Sequence, residues 1–473
     1  MSELLWTSAD LVEALAGRPF GTLPAGITGI SIDSRSLKPG EAFFAIKGDA
    51  LDGHDFATAA VKAGAALLVV SEARLPGLGR LTTPMIVVDD VLAALIRLSM
   101  ASRARSKAKI IAVTGSAGKT TTKEALRHAL SAVGKVHASD KSFNNHWGVP
   151  LSLARMPADC AYGVFEIGMN HPDEIRPLVK LVRPHVAMVT LIAAAHLGHF
   201  RGLDDIARAK GEIFEGLEKG GHALINRDDS RFKLLEKLAV AAGVKHIHGF
   251  GEHAKAEFRL LKCALYADHS TMSAAIGGTE IVARVGAPGR HMVQNALAVL
   301  GAAKLAGADV ARVAVALGDL QAEGGRGRRH LLARGITLID ESYNANTASM
   351  KAAIDLLDAT PVAGKGRRIA VLGDMLELGA HSAKLHASLA SMIEPTKIDA
   401  VYLGGPEMAA LAAALPPQRL AAHLPDVEAL KPVLLGALRP GDVVMVKSSK
   451  GIGFSKLVDA ILKKFPAESQ KTA

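Results

Sequence analysis

The chain has 473 residues, enough for two to four domains with cores of their own. It is 49% hydrophobic but only 4% aromatic, which suits α/β layers, and its excess of +10 is scattered without stacking aromatics, which argues for small anionic ligands and against nucleic acid. The two cysteines lack a partner pattern, the N-terminus lacks a basic leader and no run of ~18 apolar residues occurs, so the expectation is a cytoplasmic protein with reduced thiols and no membrane span.

Residues 1–85 read as a first small α/β unit. Ser8–Leu15 is a capped helix, and 30–35 is a strand entering a polar turn at Ser34 and Arg35. Residues 42–46 form another strand, ending at Lys47. Asp52-Gly-His54-Asp-Phe opens a helix, and 66–70 is a further strand. The polar groups gather at strand ends, where such sheets usually bind ligands, though each also suits a turn. Residues 86–109 follow as a linking helix begun by Asp89-Asp90 and a basic connector, 103–109, read as exposed.

A strand, Ile110-Ile-Ala-Val113, then leads into Thr-Gly115-Ser116-Ala117-Gly118-Lys119-Thr120-Thr121 and an amphipathic helix. Strand, glycine turn and helix N-terminus make an anion site, because backbone N–H groups and the helix dipole converge there. Lys119 supplies a point charge for phosphates, and Thr120 or Thr121 a hydroxyl for Mg²⁺. The spacing departs from the usual phosphate loop, because Val113 stands where the first glycine belongs. With its flanking strand and helix the stretch reads as an ATP site.

From 110 to 325 strands and helices alternate, which predicts a mostly parallel central sheet. Two-residue alternation around Gly277-Gly278 predicts an antiparallel hairpin beside it. Glu166, near the end of the strand at 164–168, is the best carboxylate for a cation beside the phosphates. His196, taken alone, is an ordinary loop histidine, and Lys210, in a charged helical stretch, reads as a solvated face. From 326 to 473 strands at 336–340, 369–372, 400–403 and 443–447 alternate with helices, a doubly wound pattern, and the tail 466–473 reads as disordered.

These stretches together resemble the Mur ligase family, the ATP-dependent ligases that build the peptide of bacterial cell-wall precursors. The matching segments are T-G-S-A-G-K-T-T-T-K (114–123), N-N-H-W-G-V-P (144–150), E-I-G-M-N (166–170), A-H-L-G-H-F (195–200) and A-K-G-E-I-F (209–214). They continue with G-R-H-M-V-Q-N (289–295), D-E-S-Y-N-A-N (340–346), L-G-D-M-L-E-L-G (372–379) and V-K-S-S-K-G (446–451). D-S-R (33–35) and D-G-H-D-F (52–56) match the family's UDP-binding domain.

The resemblance implies three domains: a UDP-binding domain at 1–85, a phosphate-loop ATPase sheet at 110–325 and a C-terminal Rossmann-like domain at 326–473. S-Y-N-A-N and G-D-M-L-E-L-G look specific to the member that adds D-alanyl-D-alanine to UDP-N-acetylmuramoyl-tripeptide. Gly115, Ser116, Ala117, Gly118, Lys119, Thr120 and Thr121 would cradle ATP, with Asn295 on adenine and Arg326, Asp340 and Glu341 reaching phosphates and ribose. Two Mg²⁺ are implied, on Thr120, Glu166, His196 and a carbamylated Lys210; Lys119, Glu166, His196 and Lys210 form the catalytic set. Ser34, Arg35, Lys47, Asp52 and His54 would hold the uridine diphosphate, and Asn144, Asn145, Tyr343, Asn344 and Asn346 the peptide. A monomer is expected. Glu341, Met292, Ser448 and Lys450 depart from the family pattern. A sister ligase adding another amino acid and a nucleotide-gated switch remain as alternatives; the D-N-P-R motif of diaminopimelate selection is absent.

Overall fold

The computed structural model describes residues 3–140, 142–195 and 197–467, so His196 and the end of the tail, 468–473, lie outside the described residues. Three main sheets follow one another along the chain.

The first contains Gly29–Ser31, Glu41–Phe44, Leu67–Ser71 and Met85–Val88 in parallel, with Arg18–Phe20 antiparallel at one edge. Met85–Val88 therefore extends the first sheet three residues past the border expected at 85. Every residue of that strand is buried. Asp90 then caps the helix Val91–Arg105 through Ala93 N–H at 2.7 Å.

The basic stretch 103–109, expected as an exposed connector, divides: Lys107 and Lys109 are exposed, but Arg103 and Arg105 belong to the last turn of this helix and are drawn into contacts. Arg103 is buried, and its guanidinium donates to the carbonyls of Val182 and Arg183, the end of helix Ile175–Val182. A cation satisfies the orphan carbonyls of a helix C-terminus and favours its dipole. Arg105 stacks 3.3 Å from the Trp6 ring centroid, and Trp6 Nε1 donates to Ala154 O at 2.9 Å. Arg155 Nε donates to Ile30 O at 2.7 Å. These contacts fasten the first sheet to the central one.

The central sheet has nine strands. Lys109–Thr114 is its third strand from one edge, flanked in parallel by Tyr162–Glu166 on one side and Val186–Val189 on the other, with His222–Asn226 and His246–Gly251 beyond the latter. Alternation decides the two faces: Ile111 and Val113 pack under helices Lys119–Leu130 and Arg290–Leu305, and Ile110 and Ala112 pack toward the helices of the opposite face. The predicted hairpin is Ser270–Ile276 with Thr279–Val285, and it continues the same sheet through Phe258–Leu265. Gly277 and Gly278 have φ of 57° and 86°, a turn conformation that glycine adopts at no steric cost.

The C-terminal sheet runs Ile336–Glu341, Val443–Lys447, Arg368–Gly373, Ala400–Gly404 and Leu420–Leu424, all parallel, with Arg328–Leu332 antiparallel at the edge. Apolar clusters on both faces make it doubly wound. The strands Arg328–Leu332 and Leu420–Leu424 were not visible in the sequence, because neither carries a buried apolar run.

Candidate active site

The phosphate loop is locked from behind. Thr190 Oγ1 donates to Ala117 O at 2.6 Å, Ser116 N–H to Leu191 O at 2.7 Å, and Ser116 Oγ to Ala193 O at 2.9 Å. Gly115 has φ +153°, and a Cβ there would lie 1.9 Å from Thr190 Oγ1, so only glycine fits. Gly118, at φ +83°, starts helix Lys119–Leu130 and lies close under Asn295. Lys119 Nζ folds over the loop and donates to Gly115 O at 2.7 Å. Burial pulls its ammonium below the ordinary lysine range; Glu166 works against that shift and Arg326 with it.

Glu166 ends the strand beside the loop, where Glu166 pairs with Val113. It is 1% exposed, with one carboxylate oxygen 2.7 Å from Thr120 Oγ1 and the other 2.7 Å from Asn144 Nδ2. Lys210 corrects the sequence reading of a solvated face: it is 1% exposed, on the inward side of helix Leu203–Gly211. Burial pushes its amine well below the ordinary value, Lys119 adds to this, and Glu166 opposes it.

The C-terminal domain closes over this floor. Asn346 caps helix Thr347–Ala359 with Oδ1 and donates through Nδ2 to Ser116 O at 3.1 Å. Tyr343 OH meets Ser142 Oγ, and Arg326 and Lys450 lie 4.2 and 5.2 Å from its ring centroid. Gly198 N–H donates to Glu377 O at 2.9 Å. The cleft enclosed measures about 520 Å³ and brings together the loop 116–121, Asn144, Glu166, Asn295, Arg326, Glu341, Tyr343, Asn344 and Asn346.

Not every expected residue lines this cleft. Asp340 is buried and accepts from Gly325 N–H, Ser342 N–H and Ser342 Oγ, so it shapes the turn while Glu341 faces the cleft. Asn145 accepts from Gly148 N–H at 3.0 Å, at the start of helix Gly148–Ala154, and is absent from the cleft wall. Ser34, Arg35, Lys47, Asp52 and His54 lie in the first domain, outside the cleft. His54 is buried, its Nδ1 2.6 Å from Asp52 and its Nε2 accepting from Ser71 N–H at 2.9 Å, so both ring nitrogens already serve the fold. Arg35 is exposed and pairs with Asp33. Sequence reasoning missed Lys447, which lines the cleft, is 1% exposed, and donates to Asn344 O at 2.9 Å and toward Glu341 at 3.3 Å. Its only signal was a lysine ending an apolar strand.

Thr120 and Glu166 offer oxygen ligands beside the phosphate position, the donor type Mg²⁺ takes. Among the described residues no three His, Cys, Asp or Glu side chains converge into a metal cage.

A phosphate loop on a parallel sheet, closed by a second α/β domain that reaches into the same cleft, defines a nucleotide-dependent enzyme working between domains. Comparison with known proteins narrows this. The Mur ligase family catalytic domain matches residues 26–103, the Mur ligase middle domain residues 113–303, and the Mur ligase glutamate ligase domain residues 325–450. The chain is 32% identical over 457 residues to the UDP-N-acetylmuramoyl-tripeptide–D-alanyl-D-alanine ligase of Rickettsia prowazekii, covering 96% of this chain and 99% of that one. It is 33% identical over 462 residues to the same-named enzyme of Escherichia coli, covering 96% and 98%. The crystal structure of MurF from Acinetobacter baumannii superposes with a TM-score of 0.84 at 29% identity, over 97% and 99% of the two chains. The chain belongs to the Mur ligase family.

Proposed function

We propose that the protein is an ATP-dependent amide ligase joining D-alanyl-D-alanine to UDP-N-acetylmuramoyl-tripeptide in the cytoplasm, with ADP and phosphate as co-products. The observation that carries this is the single cleft in which the phosphate loop and Glu166 of one domain face Arg326, Glu341 and Tyr343 of the next. Full-length similarity to ligases of that name supports the choice of substrates.

The tripeptide's terminal carboxylate attacks the γ-phosphorus of ATP, the bond to the ADP oxygen breaks, and an acyl phosphate forms. Two anions must approach, and the positive charge of Lys119 and Arg326 with the N–H groups of residues 116–121 offsets their repulsion. Magnesium held by Thr120 and Glu166 would neutralise the phosphates further. The dipeptide's free amine then attacks the acyl carbon, loses its proton, and phosphate leaves with both electrons of the broken C–O bond. No side chain need act as nucleophile. Lys210, buried with its amine biased toward the neutral form, is suited to take up CO₂ as a carbamate with loss of a proton, turning that amine into a further anionic ligand near Glu166.

Phosphate release from ATP, assayed with the uridine-linked tripeptide with and without D-alanyl-D-alanine, tests this reading. Release requiring both, with a product heavier by one dipeptide, is expected. Release with another amine alone would move the protein to a sister ligase, and release independent of both would favour a nucleotide-gated switch.

A further inference from the structure

The cleft takes the C-terminal ends of the central strands, with Asn226 and Phe250 on its wall. Three histidines gather at the opposite ends of the same two strands. His222 and His246 open His222–Asn226 and His246–Gly251 and are paired in register, and His248 follows two residues on. Side chains two apart share a face, so all three lie on one side of the sheet, the side of Leu224 and Phe250. His222 Nδ1 lies 3.0 Å from His248 Nε2, and the His246 ring centroid lies 5.2 Å from that of His222. On its other side, His248 Nδ1 lies 2.5 Å from Glu257 Oε2, just before strand Phe258–Leu265. An ionised carboxylate only accepts, so His248 donates through Nδ1 and keeps its lone pair on Nε2, where His222 Nδ1–H donates to it.

We propose that His222, His246 and His248 bind one divalent transition-metal ion of the zinc class, with Glu257 behind His248 and water completing the coordination. A carboxylate on the far nitrogen of an imidazole orients it and raises its basicity as a ligand. Two imidazole nitrogens on a tetrahedral zinc ion, each about 2.0 Å from the metal, stand about 3.3 Å apart. The His222–His248 pair, at 3.0 Å, has to open by only a few tenths of an ångström. As the rings stand, only these two converge. His246 is exposed and its ring makes no hydrogen bond among the described residues, so it can turn to join them. On binding, His222 Nδ1 gives up its proton to the metal's place and Nε2 takes one up, so the imidazole stays neutral. Imidazole selects zinc-class ions over Mg²⁺, which takes oxygen ligands, and the site does not draw on the magnesium of ATP. The ion fastens two neighbouring strands at the end of the sheet away from the cleft, so it acts on stability and leaves turnover alone.

The test titrates full-length, chelator-treated protein with Zn²⁺ against a chromophoric chelator, in the presence of excess Mg²⁺. Wild type, His248→Gln and Glu257→Gln are compared, so that zinc bound anywhere else cancels in the difference. Wild type is expected to take up one Zn²⁺ more than His248→Gln. Glu257→Gln should keep that ion with an affinity about 10- to 100-fold weaker. Zinc should raise the melting temperature of wild type and not that of His248→Gln. Both variants should release phosphate from ATP at the wild-type rate in zinc-free buffer, which also shows that they fold. Should His248→Gln not fold, Glu257→Gln, which changes only an exposed carboxylate, carries the test alone. Equal zinc stoichiometry in wild type and His248→Gln, an unaltered affinity in Glu257→Gln, or displacement of the extra ion by Mg²⁺ would overturn the site.

Discussion

Thr120 and Glu166, 46 positions apart, meet hydroxyl to carboxylate at 2.7 Å because the loop helix starts directly over the neighbouring parallel strand. Two oxygen atoms this close, with Asn144 on the other carboxylate oxygen, would fit the one coordination sphere of the magnesium proposed above. Glu166→Gln keeps the shape but removes the charge. It is expected to lower phosphate release by at least about 100-fold while the melting temperature holds. Activity within about tenfold of wild type would remove Glu166 from the metal site.

The adjacent asparagines separate function from folding. Asn144 orients the Glu166 carboxylate, so Asn144→Ala should cost about 10- to 100-fold and raise the magnesium concentration needed for half activity. Asn145 instead holds the turn that leads into a helix, accepting from Trp147 and Gly148 N–H, and Asn145→Ala should lower stability by about 1 kcal/mol with turnover nearly unchanged. A magnesium titration and a thermal melt on both variants decide the assignment, and a reversed pattern would refute it.

What could be read in advance was local. The glycine and lysine spacing of 115–119 announces a phosphate loop because the backbone geometry it demands lies within a few residues, and the Gly277-Gly278 turn is legible for the same reason. Glu166 was found because adjacent parallel strands bring their C-terminal ends together. Lys210 and Arg103 were misread because burial is a property of the partner surface: a charged helical stretch looks solvated until its inward side meets a sheet. Lys447 reaches the cleft only through its register with Glu341 on the neighbouring strand, which no spacing in the sequence encodes.

Lys210 supplies a prediction in carbon dioxide. A buried amine biased toward neutrality reacts with CO₂, so activity should fall in degassed, bicarbonate-free buffer and return on adding bicarbonate. Lys210→Ala should be inactive, and small carboxylic acids should partly restore it by standing in for the carbamate. Wild-type activity indifferent to CO₂, together with a variant that no acid rescues, would leave Lys210 a buried amine and nothing more.

His137 predicts how the protein responds to acid. Its Nε2 lies 2.7 Å from Ser152 O, in the edge strand Val136–Ala138, with the Phe165 ring 6.0 Å away. Burial lowers its pKa from 6.5 to about 4; Ser152 and Asp140 oppose that shift, and Arg155 adds to it. A lowered folded value means that the unfolded chain takes up the proton first as pH falls. Stability is therefore full above about 6.5, drains away between 6.5 and 4, and levels off below. The loss from this one side chain amounts to at most about 3 kcal/mol, less where solvent reaches the ring. His137→Gln keeps a donor for Ser152 O without a titrating group. Thermal melts of wild type and variant at pH 7.5 and pH 4.5 check the point: other titrating groups cancel in the difference, and the wild type should lose more stability on acidification than the variant. Equal losses would show that His137 titrates normally in the fold.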